Sequence, residues 1–451
     1  MKIHLIAIGG AIMHNLAMEL HDNGHTVTGS DDAIYDPALS RLAEKGILPI
    51  EFGWHPERIT NDLDLVILGM HARIDNPELL KAQEIGVKLM SFPEFMYDHA
   101  KDKKRVVIAG SHGKTTTTSM VLHLLKSAGR EVDFLVGAQL EGFGNMVKLS
   151  DAPIAVFEGD EYTASPLDLR PKFMHYKPDI SVITGIAWDH VNIFDTHEKY
   201  MYQFELLIKD TLERGKLIYY EHDQDLAHLA NHYQGIKQAY EAFDNKVSGS
   251  GSELIFDRCP YPVHFFGQHN FENVKAAYYV VKELGLTDEE FIAGVQTMPG
   301  PARRLEVIRS NEAHTTYFDF AHAPSKVNAT VKAVRERHPD KKLIAILELH
   351  TFSSLDKNFI PQYAHTLDPA DKAYIFYNPE TAKSKRMEIA EPEFLIHAFE
   401  RDDIKVIQEK DELEQLLLNV PIKDTVLLIM TSGNFGGLDV RKMFNKKFKF
   451  R

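Results

Sequence analysis

Val106-Val107-Ile108-Ala109-Gly110-Ser111-His112-Gly113-Lys114-Thr115-Thr116-Thr117 decides how the rest of the chain is read. An apolar, β-branched run ends in a glycine-containing turn. The turn opens into Thr118-Ser119-Met120-Val121-Leu122-His123-Leu124-Leu125-Lys126, which carries a helical pattern. Strand, loop and helix in this order turn successive backbone N–H groups inward, and the helix N-terminus behind them completes a site for phosphate oxygens. Gly110, Ser111, His112, Gly113 and Thr116 then line the loop, Lys114 reaches the outer phosphates, and the Thr115 hydroxyl is a ligand for Mg²⁺. The general phosphate-loop pattern has a glycine five positions before Gly113, where this chain has Ile108. A Gly-Lys-Thr triplet also arises by chance in turns; the flanking strand and helix favour the nucleotide.

With 451 residues the chain exceeds one hydrophobic core and implies about three domains. The net charge of −14 argues against a nucleic-acid groove, because such grooves neutralise backbone phosphates with Lys and Arg. Any anionic ligand must therefore be met by local positive features. The single cysteine, Cys259, excludes an internal disulfide framework, fits a reducing compartment and reads as structural. No apolar run is long enough to cross a bilayer. The opening Met1-Lys2-Ile3-His4-Leu5-Ile6-Ala7-Ile8-Gly9-Gly10 reads as a buried first strand rather than a signal peptide, and the expected location is the cytoplasm.

The chain before the loop alternates: strands at 3–8, 26–31 and 63–68, helices at 13–23 and 77–85. Such alternation implies a parallel sheet with helices on its faces. The turn Ala7-Ile8-Gly9-Gly10-Ala11-Ile12 only half resembles a dinucleotide fingerprint, which argues against a nicotinamide cofactor. Asp31 ends the second strand, where such folds place a ribose-binding acid, and a turn or cap aspartate fits equally. A polar linker, Lys101-Asp102-Lys103-Lys104, precedes the phosphate loop, and Met298-Pro299-Gly300-Pro301 marks the next boundary. The expected architecture is α/β throughout: a Rossmann-like domain at 1–102, a central P-loop ATPase-type parallel sheet at 103–298 and a Rossmann-like domain at 299–451. Ser/Gly-rich residues 248–252 read as a flexible loop. The basic tail around Arg441 and Lys442 reads as the solvated end of a last helix.

Several polar groups lie just past expected strand ends, where open α/β sheets bind ligands. Glu158-Gly159-Asp160-Glu161 follows strand 154–157, and Glu158 is a natural oxygen ligand for Mg²⁺ beside Thr115. Asp189-His190 follows strand 180–185, which makes His190 a candidate despite the general rarity of histidine on Mg²⁺. Asn270 and Asn273 share one face at the start of a helix expected at 274–284; they suit a purine edge or simple helix capping. Arg303-Arg304 either clamp a phosphate or are surface. Asp319 and His322 form a further polar cluster.

Together these segments resemble the Mur ligases, ATP-dependent amide-forming enzymes of peptidoglycan synthesis. Residues 109–116 are similar to their phosphate loop, including the absent early glycine, and Glu158-Gly159-Asp160-Glu161 to their Glu-Ala-Asp-Glu. Asp189-His190, Gly267-x-His269-Asn270-x-x-Asn273 and Arg303-Arg304 follow in the family's order. The resemblance implies Lys114 and Arg304 on the γ-phosphate, and Thr115, Glu158 and His190 on Mg²⁺. It further implies Asn270 and Asn273 on adenine, with Asp319 and His322 lining the nucleotide. Lys114, His190 and Arg304 would be the catalytic set. The front domain would hold UDP-N-acetylmuramate through Ala7, Ile8, Gly9, Gly10, Met13, Asp31 and His71. Several members use a carbamylated lysine where this chain has Glu205, which agrees with the branch acting on UDP-N-acetylmuramate itself. Within that branch the amine is L-alanine or the recycled tripeptide L-Ala-γ-D-Glu-meso-diaminopimelate. Residues 158–162, 172–176 and 431–437 look closer to the tripeptide enzymes, whereas 347–354 departs from both. Folylpolyglutamate-type ligases share the central and rear design without a sugar-nucleotide domain in front.

Overall fold

The computed structural model describes residues 1–70, 72–140, 142–188, 193–211, 215–248, 251–299, 305–421 and 423–447, without the side chains of 445–447. His71, Asp189, His190, Arg303 and Arg304 lie outside the described residues. The chain divides into two compact units, one of Met1–Ile186, Met201–Glu241 and Ala276–Phe291, the other of Ala187–Tyr200, Ala242–Lys275 and Ile292–Arg451.

The first unit contains two sheets, the front one parallel and the second parallel except for β7. The front sheet comes from β1 (Lys2–Ile6), β2 (Thr26–Ser30), β3 (Leu65–Leu68) and β4 (Leu89–Ser91) in the order β2-β1-β3-β4. Its helices are α1 (Ala11–Asp22), α2 (Ala38–Glu44), α3 (Pro77–Ile85) and α4 (Phe92–Ala100). All four residues of β3 are buried, as in a strand covered on both faces. Helix α3 starts where expected because Asn76 caps it and Pro77 follows. Helix α4 carries a Ser91/Glu94 capping box.

The second sheet has seven strands: β5 (Lys104–Ala109), β6 (Asp133–Leu135), β7 (Val147–Lys148), β8 (Ile154–Glu158), β11 (Ile180–Ile183), β12 (Lys216–Tyr220) and β13 (Ile236–Tyr240). Between β8 and β11 lies a small antiparallel pair, β9 (Thr163–Ser165) and β10 (Asp168–Pro171). The order β13-β12-β11-β5-β8-β6-β7 puts β5 in the middle, with β11 on one side and β8 on the other. Successive connections leave β5 in opposite directions, so its carboxyl end opens a crevice. Ile108 is fully buried within β5 and pairs with Val182 and Glu158. The strand thus runs on where longer phosphate loops have begun to turn, which explains the absent glycine. Helices α5 (Lys114–Ser127), α6 (His197–Asp210) and α7 (Gln224–His232) follow β5, β11 and β12. The two sheets are tied through α1: Glu19 Oε1 accepts from Leu149 N at 2.9 Å, and Asn15 Oδ1 accepts from Met146 N at 3.2 Å.

The other unit holds an antiparallel sheet of β14 (Asn245–Ser248), β15 (Gly251–Phe256) and β16 (Cys259–Val263). Of the Ser/Gly stretch expected as a flexible loop, Ser248 ends β14 and Gly251 and Ser252 begin its antiparallel partner β15; residues 249 and 250 lie outside those described. Ser252 and Leu254 alternate inward on β15, and Ser252 accepts from Arg337 at 2.8 Å. A period of two was hidden under a turn-like composition. Cys259, expected to be structural, is exposed at the start of β16. Helices α8 (Gln268–Glu283) and α9 (Asp288–Gln296) follow. A six-stranded sheet then forms from β17 (Glu306–Ser310), β18 (His314–Asp319), β19 (Lys342–Leu349), β20 (Lys372–Tyr377), β21 (Lys405–Ile407) and β22 (Thr425–Met430). Its order is β17-β18-β22-β19-β20-β21, parallel except for β17, with α10 (Pro324–Arg337) after β18. Among the described residues no helix is long and apolar enough to cross a membrane.

Candidate active site

The loop after β5 is short and tightly held. Gly110 adopts φ 130° and Gly113 φ 79°, conformations that side-chain-bearing residues avoid. A Cβ on Gly110 would stand 2.5 Å from Thr184 Oγ1 and 2.8 Å from Gly185 O, so only glycine passes between β5 and the end of β11. Ser111 N donates to Gly185 O at 2.8 Å, and the Thr184 hydroxyl donates to His112 O. Helix α5 begins at Lys114, so the N–H groups of its first turn point back toward the loop.

Acidic side chains from the end of β8 converge on this loop. Thr115 Oγ1 donates to Glu158 Oε1 at 2.9 Å, and Gly137 N donates to Glu158 Oε2 at 2.9 Å. Lys114 Nζ rests on Gly110 O and lies 3.4 Å from Glu161 Oε2. Burial alone would lower the Lys114 pKa, but Glu161, Asp160 and Glu158 outweigh it and hold the ammonium above its usual range. Burial raises Glu158, and Gly137, Lys114 and Thr115 only partly offset it. Asp160 goes the other way: burial would lift it, yet Lys172 and Lys114 together hold it below the ordinary carboxylate range. Lys172 Nζ reaches Asp160 Oδ2 at 2.7 Å and sits 5.8 Å from the Tyr162 ring centroid.

The oxygen pair Thr115–Glu158 suits a hard cation. Neighbouring ligands of an octahedral ion with bonds of ~2.1 Å lie roughly 2.9 Å apart, the separation found between these two oxygens.

A cavity of about 590 Å³ opens beside the turn from β1 to α1, lined among others by Ala7, Gly9, Gly10, Met13, Asp31 and Trp54. Ala7 takes φ 65°, the conformation that a glycine in that slot would supply. The N–H groups of Ala7 and Ile8 both donate to Ser30 O, at 2.9 and 3.1 Å. Gly9 N donates to Asp31 Oδ2 at 2.7 Å. With those N–H groups taken, the donors this turn leaves for a ligand are at the N-terminus of α1, where Met13 lines the cavity. Burial pushes the Asp31 carboxyl up to about 6, with Asp32 adding to it. Among the described lining residues Arg73 is the one basic side chain, held by Asp75 at 2.9 Å.

Asn270, Asn273, Asp319 and His322 belong to the other unit. Both asparagines lie inside the first turns of α8 rather than at its cap, since the helix starts at Gln268. Asn270 is buried and its amide donates to Phe266 O at 2.8 Å. Asp319 Oδ2 accepts from Leu305 N and Oδ1 from Ala321 N, both at 2.6 Å. His322 Nδ1 lies 2.9 Å from Phe320 O. His71, His190 and Arg304 fall outside the described residues. Glu205 lies on α6, paired with Lys209 at 2.5 Å.

Gly137, Lys172 and Thr184 were not reached from the sequence. Gly137 acts through its backbone, and a Cβ there would stand 2.8 Å from Glu158 Oε1. Lys172 belongs to the basic-aromatic run after β10, where only its distance from Asp160 reveals a function.

A phosphate loop at the end of β5 with an acidic strand end beside it, and α/β sheets before and after it in the chain, is the arrangement of a nucleotide-binding α/β protein. Models of three domains match in sequence: "Mur ligase family, catalytic domain" over residues 2–104, "Mur ligase middle domain" over 108–281 and "Mur ligase, glutamate ligase domain" over 303–433. The chain belongs to the Mur ligase family. The UDP-N-acetylmuramate–L-alanine ligase of Lactobacillus delbrueckii subsp. bulgaricus is 30% identical over 386 residues, covering 83% of this chain and 84% of its own. The UDP-N-acetylmuramate–L-alanyl-γ-D-glutamyl-meso-2,6-diaminoheptandioate ligase of Escherichia coli is 28% identical, covering 97% and 96%. The solved UDP-N-acetylmuramate-alanine ligase of Thermotoga maritima shares the fold with a TM-score of 0.72 and 22% identity, over 100% of this chain and 99% of that one.

Proposed function

We propose that this chain joins the lactyl carboxylate of UDP-N-acetylmuramate to the amine of L-Ala-γ-D-Glu-meso-diaminopimelate, with ATP as co-substrate. The observation that carries this reading is a single compact unit holding both a phosphate loop, with Lys114 and Glu158 on it, and a cavity at a second strand–helix turn. The E. coli relative named for this reaction matches along nearly the whole chain. In the reaction the carboxylate oxygen attacks the γ-phosphorus of ATP and ADP leaves. The amine then attacks the acyl phosphate, and phosphate leaves from the tetrahedral intermediate. Lys114 neutralises charge on the migrating group, and the N–H groups around Gly110 to Thr116 cradle the remaining phosphates. Thr115 and Glu158, with His190, would hold Mg²⁺, which would neutralise phosphate charge there.

Ala7, Ile8, Gly9, Gly10, Met13, Asp31 and His71 would bind the UDP-sugar, its diphosphate on the α1 N-terminus. Asn270 and Asn273 would meet adenine. Asp319 spends both oxygens on backbone N–H groups, one of them on the residue after Arg304. With His322 it would line the nucleotide.

A second reading, transfer to L-alanine, has its own support: the L. delbrueckii relative named for that amine reaches 30% identity. Phosphate release measured with ATP and UDP-N-acetylmuramate decides between them. The tripeptide should drive turnover and L-alanine should not. Release that ignores UDP-N-acetylmuramate would overturn both readings.

A further inference from the structure

At the end of the run that carries Lys172, three side chains from three elements meet. Glu94 comes from the first turn of α4, Asp168 from the start of β10, and His175 from a 3₁₀ turn, Lys172–His175. One carboxylate oxygen from each acid and one ring nitrogen of His175 lie within 4.8 Å of one another. Asp168 Oδ2 and His175 Nε2 are 3.4 Å apart. His175 is buried, its side chain only 5% exposed, and Nε2 has no hydrogen-bond partner.

That nitrogen needs an explanation, because a buried polar atom without a partner costs about 1–3 kcal/mol. As an N–H it would point past Asp168 without bonding it; as a bare lone pair it would face a carboxylate. The acids are already oriented as ligands are. Glu94 uses Oε2 for Ser91 N and Oγ, at 2.7 and 2.8 Å. Arg170 holds Asp168, with Nη2 on Oδ2 at 2.6 Å and Nε on Oδ1 at 3.0 Å. Such outer hydrogen bonds fix ligand carboxylates in metal sites.

The geometry points to a divalent transition-metal site, of the kind that takes Zn²⁺, formed by Glu94, Asp168 and His175 with a water in the fourth position. Tetrahedral ligands at ~2.0–2.1 Å lie roughly 3.3–3.4 Å apart, the separation of Asp168 Oδ2 and His175 Nε2. Thr115 and Glu158, at 2.9 Å and all oxygen, fit Mg²⁺ instead. An ion at the new site would staple α4 to the run holding Lys172, which grips Asp160. This inference does not depend on which amine the enzyme uses.

The test is zinc titration by calorimetry on chelator-treated full-length protein in excess Mg²⁺, together with visible absorption of the Co²⁺-loaded protein. Wild type should take up one Zn²⁺ per chain, show the intense cobalt bands of four-coordination and melt at higher temperature with metal. Glu94→Gln keeps the capping box while weakening the ligand, and should bind at least ~10-fold more weakly, as should His175→Gln. His222→Ala, in the exposed Glu221/His222/Glu241 group, should bind like wild type. No uptake by wild type, unchanged uptake by a folded Glu94→Gln, or loss in His222→Ala alone would overturn the assignment.

Discussion

The turn from β5 into α5 and the turn from β1 into α1 share one backbone plan, a parallel strand running into a helix whose first N–H groups face outward. Their side chains differ in how densely charge is gathered and paired. The β5 turn carries Lys114 with Glu158, Asp160 and Glu161 around it, so charge there is dense and paired. The β1 turn carries Asp31 on Gly9 N, and Arg73 is its only described basic neighbour. A phosphoryl group in flight needs a mobile cation to follow its charge; a diphosphate that only anchors a sugar can be met by N–H groups and a helix end. In the proposed function one backbone device serves chemistry in one place and holding in the other.

Lys114→Ala should separate the two turns most sharply. Turnover should fall by roughly 10²–10³-fold or more while UDP-N-acetylmuramate affinity, read by calorimetry without ATP, stays within about twofold. Equal loss at both would mean that the turns are not independent.

Glu158→Gln comes next. Turnover should drop by about 10²-fold as the oxygen pair with Thr115 loses its charge. Because burial already disfavours the Glu158 carboxylate, the melting temperature should hold or rise. A large fall in melting temperature would make Glu158 a scaffold residue.

Two glycines test the backbones directly. Gly110→Ala places a Cβ against Thr184 and Gly185 at φ 130° and should cost about 1–3 kcal/mol in denaturant unfolding. Gly10→Ala at the other turn meets nothing nearer than 3.7 Å at φ −59° and should change stability by under ~0.5 kcal/mol.

Asp31 tests the β1 turn through pH. Its folded pKa of about 6 lies above the ordinary 3.8, so the folded state prefers the protonated acid. The associated stability is present below about pH 3.8 and is lost as pH rises through about 6. Asp31→Asn should therefore gain in melting temperature over wild type as pH climbs from 4 to 6.5, then level off. Parallel profiles would remove burial as the cause.

Much of the fold was legible because apolar runs and turn residues are local. Strands β5, β8 and β11 begin and end within about two residues of the sequence reading. Asn270 was misplaced relative to its helix because α8 starts at Gln268, ahead of the expected 274, so the purine-edge pair sits inside the helix. Gly137 and Thr184 escaped because each acts across the sheet through a backbone or hydroxyl contact that only tertiary pairing creates. Lys172 and His175 escaped for the same reason: their partners, Asp160 and Asp168, lie several residues back along the chain, and no fixed spacing links them. The correct placement of Lys114 and Glu158 rested on strand–loop–helix order, a pattern that survives even without the early glycine.

The central claim is that ATP at the β5 turn phosphorylates the sugar carboxylate before the amine attacks. Turnover of UDP-N-acetylmuramate labelled with ¹⁸O in its lactyl carboxylate tests it most directly. The released phosphate should carry one ¹⁸O from each carboxylate consumed; unlabelled phosphate alongside full product formation would contradict the claim.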